Sequence, residues 1–263
     1  LFYKTVGQGE PCLVMHGSMG LDHTMVHPGL DPLGDIFQLV YYDHRGNGRS
    51  GRPPIETLTW EQMAHDAERL RKHLGFGKIS IAAHSFGAFP ALEYSLRYPQ
   101  WVHRLILIGA VPAFDYFPEV IASMRGRGAS DELVALLDFS KVTSNEACKQ
   151  NSSRLAPLYF HRPSDRLIEQ VIGRVQFCAE AYRVTPSLIA TYTLEPRLKD
   201  IHVPTLVLAG ADDFVTPASQ VRRLLDGIPN ATMTVFEHSG HLPYLEEPEL
   251  FFRVVRDWMR NHP

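Results

Sequence analysis

The stretch IAAHSFG, residues 81–87, decides the fold that we expect for this chain. Its apolar start is typical of a buried strand, and the following residues, from Pro90 to Arg97, are typical of a helix. A serine at such a strand-to-helix turn sits on a strained bend that pushes its hydroxyl out above the sheet edge. The usual G-x-S-x-G pattern is met only as small-x-Ser-x-Gly, because Ala83 replaces the first glycine. Ser85 is therefore the candidate nucleophile; a serine that caps the following helix is the alternative.

Two later segments supply the partners that a nucleophilic serine requires. The serine hydroxyl needs an imidazole to accept its proton, and the imidazole needs a carboxylate to fix its tautomer. A predicted strand at residues 206–210 runs into the adjacent acids Asp212 and Asp213. A second strand, Ala231–Phe236, is followed by His238 and His241. The candidate groups thus follow predicted strands in the order serine, aspartate, histidine.

A glycine-rich turn near the start of the chain is the candidate oxyanion-binding loop. Residues 12–20, CLVMHGSMG, are typical of a strand that ends in such a turn. A turn of this kind can present a backbone N–H to a developing oxyanion. We expect the N–H groups of Ser18 and Phe86 to form the oxyanion hole, with Met19 as a shifted alternative to Ser18. A turn without catalytic use is the other interpretation.

The chain resembles the α/β-hydrolases, in particular the group of carboxylesterases, lactonases and proline iminopeptidase-like enzymes. Besides the serine turn, three segments carry the resemblance: HGSMG at 16–20, YDHRGNGRS at 42–50 and SGHLPYLEEP at 239–248. The resemblance covers nearly the whole chain except the middle. It implies an α/β fold: a mostly parallel sheet with helices on both faces and an inserted helical cap. It also implies that residues 43–50 are scaffold and bind no metal or phosphate.

The resemblance also chooses between neighbouring candidates for the acid and the base. It favours His241 over His238 as general base, because the matching pattern is Gly-His followed by an acidic-Pro helix start. The acid usually stands three residues after the glycine that ends its strand, with a proline a few residues later. Gly210 and Pro217 then select Asp213 as the acid.

Composition limits the classes of partner. The chain has 263 residues and a net charge of −3, which argues against nucleic acid and anionic membranes as partners. No apolar run approaches the roughly 18 residues of a membrane-spanning helix. Three cysteines without a C-x-x-C pair argue against a disulfide framework or a zinc site and favour a reducing, cytoplasmic location. The chain opens at Leu1 without a methionine, from which we expect a truncated N-terminus.

The rhythm of strands and helices divides the chain into a core and an insertion. Residues 1–111 and 200–263 alternate strand and helix, which predicts a mostly parallel sheet. Residues 112–199 contain helical patterns, such as Asp131–Asp138 and Arg166–Tyr182, and are too long for a simple loop. We expect this stretch to form a helical cap over the sheet edge. The predicted strands are Leu1–Val6, Cys12–His16, Phe37–Tyr42, Ile79–Ala83, Arg104–Ile108, Pro204–Ala209 and Ala231–Phe236.

The leading prediction is a cofactor-free serine hydrolase that cleaves small carboxylic esters or lactones through an acyl-enzyme. Its catalytic residues would be Ser85, Asp213 and His241. Met19, Phe86 and a few of the many cap aromatics would line an apolar pocket that favours uncharged groups.

Several alternatives stay open. A proline iminopeptidase-like amidase would need cap carboxylates for a free amino group; Glu169, Glu180 and Glu195 are available, but nothing marks them as such a pair. A lyase or perhydrolase would use the same three residues. A ligand-binding protein on this scaffold would usually have lost one of them. The oligomeric state does not follow from the chain.

Overall fold

Seven strands form the sheet at the centre of the described residues. The structure is a computed structural model that describes residues 1–190 and 192–262. Thr191, in the predicted cap, and Pro263, at the end of the predicted core segment 200–263, lie outside the described residues. The strands are β1 (Tyr3–Val6), β2 (Glu10–Met15), β3 (Phe37–Tyr42), β4 (Ile79–His84), β5 (Val102–Ile108), β6 (Thr205–Gly210) and β7 (Ala231–Phe236).

The strand order is β1-β3-β2-β4-β5-β6-β7. Only β1 runs antiparallel to its neighbour, and the other neighbouring pairs are parallel. All seven strands overlap those expected from the sequence, and β3 and β7 have the expected bounds. The carboxyl ends of the parallel strands meet at one edge of the sheet, where open α/β sheets place their functional groups. This mostly parallel sheet agrees with the fold class predicted from the sequence.

Ten α-helices accompany the strands in the described part of the chain. Thr59 caps the first of them by accepting a hydrogen bond from the backbone N–H of Gln62, as its position in the sequence indicates. The helices are α1 (Trp60–His73), α2 (Ala88–Arg97), α3 (Phe117–Gly126), α4 (Asp131–Ala135), α5 (Asn145–Leu155), α6 (Asp165–Ile172), α7 (Ala179–Ile189), α8 (Ala218–Gly227), α9 (Pro243–Glu246) and α10 (Pro248–Asn261). None of the described helices is long and apolar enough to cross a membrane.

Alternate residues along the strands face two apolar layers, as the period-two geometry of a strand requires. In β4, Ile81 and Ala83 belong to the layer that contains α1, α2 and α8. Ala82, between them, belongs to the layer that contains α10. Because both faces are covered, β4 and β6 are buried at every residue.

Helices α3 to α7 all lie between β5 and β6, in the segment 112–199 that we call the helical insertion. The segment leaves and rejoins the core at one place, where Ala113 forms a β-bridge with Thr193 and the Leu194 N–H donates to the Pro112 carbonyl at 2.9 Å. The described residues of the insertion form no strand of the main sheet. Its helical character is the one expected from the sequence.

One helical pattern in the insertion differs from the expectation. The pattern Arg166–Tyr182 is not continuous, because α6 ends at Ile172 and α7 begins at Ala179. The chain between these helices bonds to the core instead. The Gln176 N–H donates to the Asp22 carboxylate at 3.0 Å, and the Cys178 N–H donates to the Gly20 carbonyl at 2.8 Å.

Candidate active site

Ser85 lies at the turn between β4 and α2 in a left-handed backbone conformation, with φ at 53°. Among the described residues, only Ser18, with φ at 50°, shares a positive φ without being glycine. Such a conformation costs a side-chain-bearing residue about 1–2 kcal/mol, so the surrounding packing must hold it. Gly87 contributes, because a Cβ atom there would lie 2.3 Å from the Met15 carbonyl oxygen. The turn thus presses against the end of β2.

His241 and Asp213 form a buried pair beyond the ends of β7 and β6. His241 Nδ1 lies 2.6 Å from Asp213 Oδ2, and each residue is only 4% exposed. The same carboxylate accepts hydrogen bonds from the Thr216 hydroxyl at 2.6 Å and from the backbone N–H groups of Val215 and Thr216 at 2.9 Å. Asp213 therefore fixes Nδ1 of His241 as the protonated nitrogen and leaves Nε2 as the acceptor.

The pKa of Asp213 follows from these contacts. Burial alone raises a carboxyl pKa, but the electrostatic attraction of the adjacent imidazole and the hydrogen bonds from His241 and Thr216 outweigh burial. The pKa of Asp213 consequently lies below its ordinary value. The group stays ionised in the buried pair.

The alternative acid and base lie in other environments. Asp212 is half-exposed, and its carboxylate pairs with Nδ1 of His161 in the helical insertion. His238 is exposed, and its backbone N–H donates to Glu247 Oε2 at 3.0 Å. Of the two histidines, His241 lines the cavity that Ser85 also lines.

The loop after β2 lies directly against the Ser85 turn. A Cβ atom on Gly17 would lie 3.0 Å from the Ser85 Cβ, so the two backbones are in close contact. The His16 ring holds this loop by donating from Nδ1 to the Gly17 carbonyl at 2.7 Å. Ser18 lines the cavity, as does Phe86. Both residues that are expected to supply the oxyanion donors therefore line the cavity.

Met19, expected in the pocket wall, lies elsewhere. It is fully buried in the core, its sulfur is 3.5 Å from Asn47 Nδ2, and it is not among the described residues that line the cavity. An apolar residue next to a glycine turn can face either the core or the pocket, and the sequence pattern does not distinguish the two. The Asn47 side chain also accepts from the Gly20 N–H, so this contact fixes the loop.

Sequence reasoning missed three residues that hold His241. Thr216 supports Asp213, as described above, and the pattern Asp-x-x-Thr at the end of β6 was the available signal. The Tyr159 carbonyl, in the insertion, accepts from the His241 N–H at 2.7 Å. His84, which directly precedes Ser85, donates from Nε2 to the His241 carbonyl at 3.0 Å. The last two contacts are non-local, and no sequence pattern announces them.

His84 is a buried neutral histidine. Its burial, with a smaller contribution from the nearby His241, lowers the pKa of His84 to about 3. Nε2 of His84 carries the proton that is donated to the backbone carbonyl of His241. Nδ1 of His84 is therefore the unprotonated nitrogen, and it has no partner among the described residues. The ring centroids of His84 and His241 are 4.7 Å apart.

A cavity of about 500 Å³ extends from Ser85 into the helical insertion. Core and insertion both contribute to its mostly apolar wall. No lysine or arginine side chain is among the described residues that line it. Its insertion residues are Phe114, Asp115, Phe117, Val120, Leu137, Phe139, Ser152, Ala156, Tyr159, Phe160, Val171, Ile172, Tyr182, Thr185, Pro186, Ile189 and Ala190.

One group of described side chains has its potential ligand atoms close enough together to hold a metal ion: Asp22, His23 and Asp43. Their polar atoms already have partners. Asp43 accepts from His23 Nδ1 at 2.7 Å and from the Arg49 N–H at 2.7 Å, and Asp22 pairs with the Arg49 guanidinium at 2.8 Å. This hydrogen bonding accounts for the cluster as scaffold, which is the role that the resemblance implies for the loop 43–50.

Known proteins resemble this chain over nearly its full length. Proline iminopeptidase of Clostridioides difficile (strain 630) is 27% identical over 98% of this chain and 94% of its own. The putative carbamate hydrolase RutD of Caulobacter sp. (strain K31) is 25% identical over 94% of this chain and 90% of its own. The solved structure of a thermophilic esterase from Thermogutta terrifontis, with malate bound, matches with a TM-score of 0.81 and 26% identity, over 100% of this chain and 94% of the esterase.

The family assignment rests on a match to the sequence profile of a whole family and not on any single relative. The sequence profile of the alpha/beta hydrolase fold family matches residues 11–248, from β2 to the start of α10. This range includes the Ser85 turn, the Asp213–His241 pair and the whole insertion. The chain therefore belongs to the α/β-hydrolase fold family.

Proposed function

We propose that this chain is a serine hydrolase that cleaves uncharged carboxylic esters, lactones included, through an acyl-enzyme on Ser85. One observation carries the proposal: a strained serine lines the same cavity as a histidine whose other ring nitrogen is held by a buried carboxylate. A serine hydroxyl becomes nucleophilic when an adjacent imidazole accepts its proton. The esterase among the similar solved structures supports the ester class.

In the first half of the reaction, Ser85 Oγ attacks the acyl carbon while its proton moves to His241 Nε2. The developing positive charge on the imidazole is stabilised by the Asp213 carboxylate. The negative charge on the substrate oxygen is stabilised by the backbone N–H groups of Phe86 and Ser18, each of which is worth about 3–4 kcal/mol in a site of this kind. The C–O bond to the alcohol then breaks, and His241 returns the proton to the leaving oxygen.

In the second half, water replaces the alcohol. His241 accepts a proton from the water, the resulting hydroxide attacks the acyl carbon, and the bond to Ser85 Oγ breaks. The carboxylic acid leaves and Ser85 recovers its proton from His241. In a lactone the leaving alcohol stays attached to the acyl group, and the product is a hydroxy acid.

The charges around the cavity favour this substrate class over an amine-bearing peptide. Recognition of a free α-amino group requires an unpaired carboxylate in the pocket. Asp115 is the acidic residue of the insertion that lines the cavity, and the Arg223 guanidinium holds its two oxygens at 2.6 and 3.0 Å. The candidates from the sequence do not line it: Glu195 also pairs with Arg223, and Glu169 and Glu180 are exposed.

The test combines active-site labelling with a substrate panel. A fluorophosphonate should label Ser85 in the folded protein, identified by mass spectrometry of the peptides. Ser85→Ala should lose about 10⁴-fold or more in kcat toward p-nitrophenyl esters with an unchanged unfolding midpoint. Lactones and proline naphthylamide complete the panel and separate esterase, lactonase and peptidase activity. Labelling at another residue, or near-normal turnover by the alanine variant, contradicts the proposal.

A further inference from the structure

The loop that carries His241 is bonded both to the core and to the helical insertion. The His241 carbonyl accepts from His84 Nε2 in the core at 3.0 Å. The His241 N–H donates to the Tyr159 carbonyl in the insertion at 2.7 Å. The backbone of the proposed general base is therefore held from both sides, and one of these two contacts depends on the position of the insertion.

Glu246 joins the same loop to the same segment of the insertion. Its Oε2 accepts from the Gly240 N–H at 2.7 Å, and its Oε1 accepts from the Arg162 N–H at 3.0 Å. We call these two hydrogen bonds the Glu246 link. Gly240 directly precedes His241, and Arg162 follows Tyr159 closely in the chain. The link and the bond from the His241 N–H thus connect the same two short stretches of chain.

These two stretches are in close contact at Gly240. A Cβ atom on Gly240 would lie 2.3 Å from the Tyr159 carbonyl oxygen. On the other side, a Cβ atom on Gly210, at the end of β6, would lie 1.9 Å from the Gly240 carbonyl oxygen. The Gly240 backbone is therefore packed between the insertion and the sheet. A displacement of the insertion at this point also displaces the residue next to His241.

The position and charge of Glu246 suit it to hold the link. It is the last residue of α9, whose Pro243 and Tyr244 are buried, so its backbone is anchored in the core. Burial raises the pKa of the half-buried Glu246 carboxyl, whereas the N–H groups of Arg162 and Gly240 lower it, because they donate to the ionised form. Hydrogen bonds to an ionised acceptor are about twice as strong as those between neutral groups.

The next residue, Glu247, provides a contrast. It is also half-buried, and its Oε2 accepts from the His238 N–H at 3.0 Å and from the Ser239 hydroxyl at 2.7 Å. Both donors belong to the loop that carries His241. Glu247 therefore stabilises this loop internally, whereas Glu246 fixes the loop against the insertion.

We propose that Glu246 is a positioning residue for the proposed general base, because it holds the backbone next to His241 against the helical insertion. Its carboxylate bonds to backbone N–H groups, so it acts through the placement of the imidazole and transfers no proton itself. Misplacement of a reacting group by about 1 Å can cost about 100-fold in rate, so contacts outside the ring can control the reaction. This inference rests on the proposed ester hydrolysis at Ser85.

The test compares two substitutions that remove the same charge from adjacent residues. An amide has one accepting oxygen, so Glu246→Gln loses one bond of the link, whereas Glu247→Gln keeps an acceptor for both of its donors. With p-nitrophenyl butyrate at about pH 8, where carboxyl groups are ionised, Glu246→Gln should lower kcat by about tenfold or more. KM should change by less than about twofold, because the substrate-binding wall is intact. Glu247→Gln, the matched control, should lose less than about twofold in kcat.

Two further measurements separate positioning from a general structural defect. In a His241→Ala background, Glu246→Gln should not lower the residual fluorophosphonate labelling of Ser85 further, because residues that act through one group are not additive. A general defect lowers labelling by the same factor in both backgrounds. In proton NMR spectra, the 2.6 Å bond between His241 and Asp213 should give a downfield resonance. This resonance should shift or broaden in Glu246→Gln and remain unchanged in Glu247→Gln.

A second variant keeps the charge and removes the reach. Glu246→Asp is shorter by one methylene and cannot bond to both N–H donors, so it should show the same loss of kcat. If Glu246→Gln does not fold, Glu246→Asp takes its place in every comparison, with Glu247→Asp as the control.

The outcomes separate this inference from the proposed function. Equal kcat values for the Glu246 and Glu247 variants, or an equal loss with and without His241, overturn the inference while ester hydrolysis stands. If the unchanged protein cleaves no ester and a fluorophosphonate leaves Ser85 unlabelled, both are overturned.

Discussion

The α/β core and the helical insertion differ in how tightly their backbones are constrained. In the core, β4 and β6 are buried throughout, and a Cβ atom on Gly210 would lie 1.9 Å from the Gly240 carbonyl oxygen. In the insertion, α4 has no buried residue, and added Cβ atoms on Gly126 and Gly128 would meet open space. The groups that we assign to bond cleavage lie beside these closely packed strands. Much of the cavity wall lies on the insertion.

The two regions nevertheless meet at the candidate active site. The insertion accepts a hydrogen bond from the His241 N–H through the Tyr159 carbonyl, and the Tyr159 ring centroid is 5.6 Å from that of His241. His161, two residues on, pairs with Asp212, beside the proposed acid. The insertion therefore helps to position the proposed general base as well as to enclose the substrate.

The largest effect should come from the proposed acid in the core. Asp213→Asn should lower kcat by about 10³–10⁴-fold, because an amide cannot hold the Nδ1–H tautomer of His241 or stabilise its positive charge. The matched control is Asp212→Asn, which removes only a half-exposed pair with His161 and should cost less than about fivefold. Ester kinetics with both variants checks the assignment. A larger loss in the Asp212 variant means that the acid is misassigned.

The difference in packing should appear when glycines are replaced in the two regions. Gly87→Ala should destabilise the protein by about 1–3 kcal/mol, because the new methyl group would lie 2.3 Å from the Met15 carbonyl oxygen, in a buried strand. Gly126→Ala, at the end of α3, meets no atom and should stabilise by about 0.5–1 kcal/mol. Urea unfolding of both variants measures the free energies. Equal effects in the two variants would show that the constraint does not differ between the regions.

The same difference explains what the sequence could predict. The central strands were recognisable because buried parallel strands are short apolar runs bounded by turn residues. The helix ends within the Arg166–Tyr182 pattern were not recognisable, because the helical periodicity of the sequence continues through the break. Hydrogen bonds to Asp22 and Gly20 impose that break. Local patterns determine the core, whereas contacts distant in sequence determine where the insertion's helices end.

The candidate site divides in the same manner. Ser85, Asp213 and His241 follow strands in an order that a sequence pattern records, so they could be proposed without a structure. The contacts of His84 and Tyr159 with the His241 backbone span 157 and 82 residues, and no local pattern encodes them. Likewise, the orientation of Met19 toward the core depends on Asn47, which lies on another loop.

Protonation of the buried core is the next test. In the folded protein the pKa of His84 is about 3, so the ring stays neutral until the pH falls to that value. An unfolded histidine binds a proton near pH 6.5. Between these values the unfolded state holds the extra proton, so stability falls as the pH falls. His84→Gln keeps a donor for the His241 carbonyl and does not titrate. It should reduce the slope of unfolding free energy against pH by about 1.4 kcal/mol per unit in that window.

Urea unfolding at several pH values between about 3 and about 6.5 measures both slopes. Burial also lowers the pKa of His16 and His44, but both residues are present in the two proteins and cancel in the comparison. Equal slopes would mean that the folded and unfolded states protonate His84 alike in this window, and its interpretation as a neutral donor to the histidine loop would be wrong.

The smallest effect concerns substrate choice at an exposed position of the insertion. Phe117, at the start of α3, is 40% exposed and lines the cavity, where it contacts the aromatic group that includes Phe114. Phe117→Ala should shift the ratio of kcat/KM between long-chain and short-chain p-nitrophenyl esters by about threefold. The shift is smaller than for a fully enclosed wall because water already reaches this ring.

Ile55 provides the matched control. It belongs to the α/β core region of the chain, its side chain is similarly exposed at 43%, and it does not line the cavity. Ile55→Ala should leave the ratio unchanged, and fluorophosphonate labelling of Ser85 should proceed equally in both variants, because neither residue touches the proposed catalytic groups. If both substitutions shift the ratio alike, or neither does, the division of chemistry and selectivity between core and insertion fails at this wall.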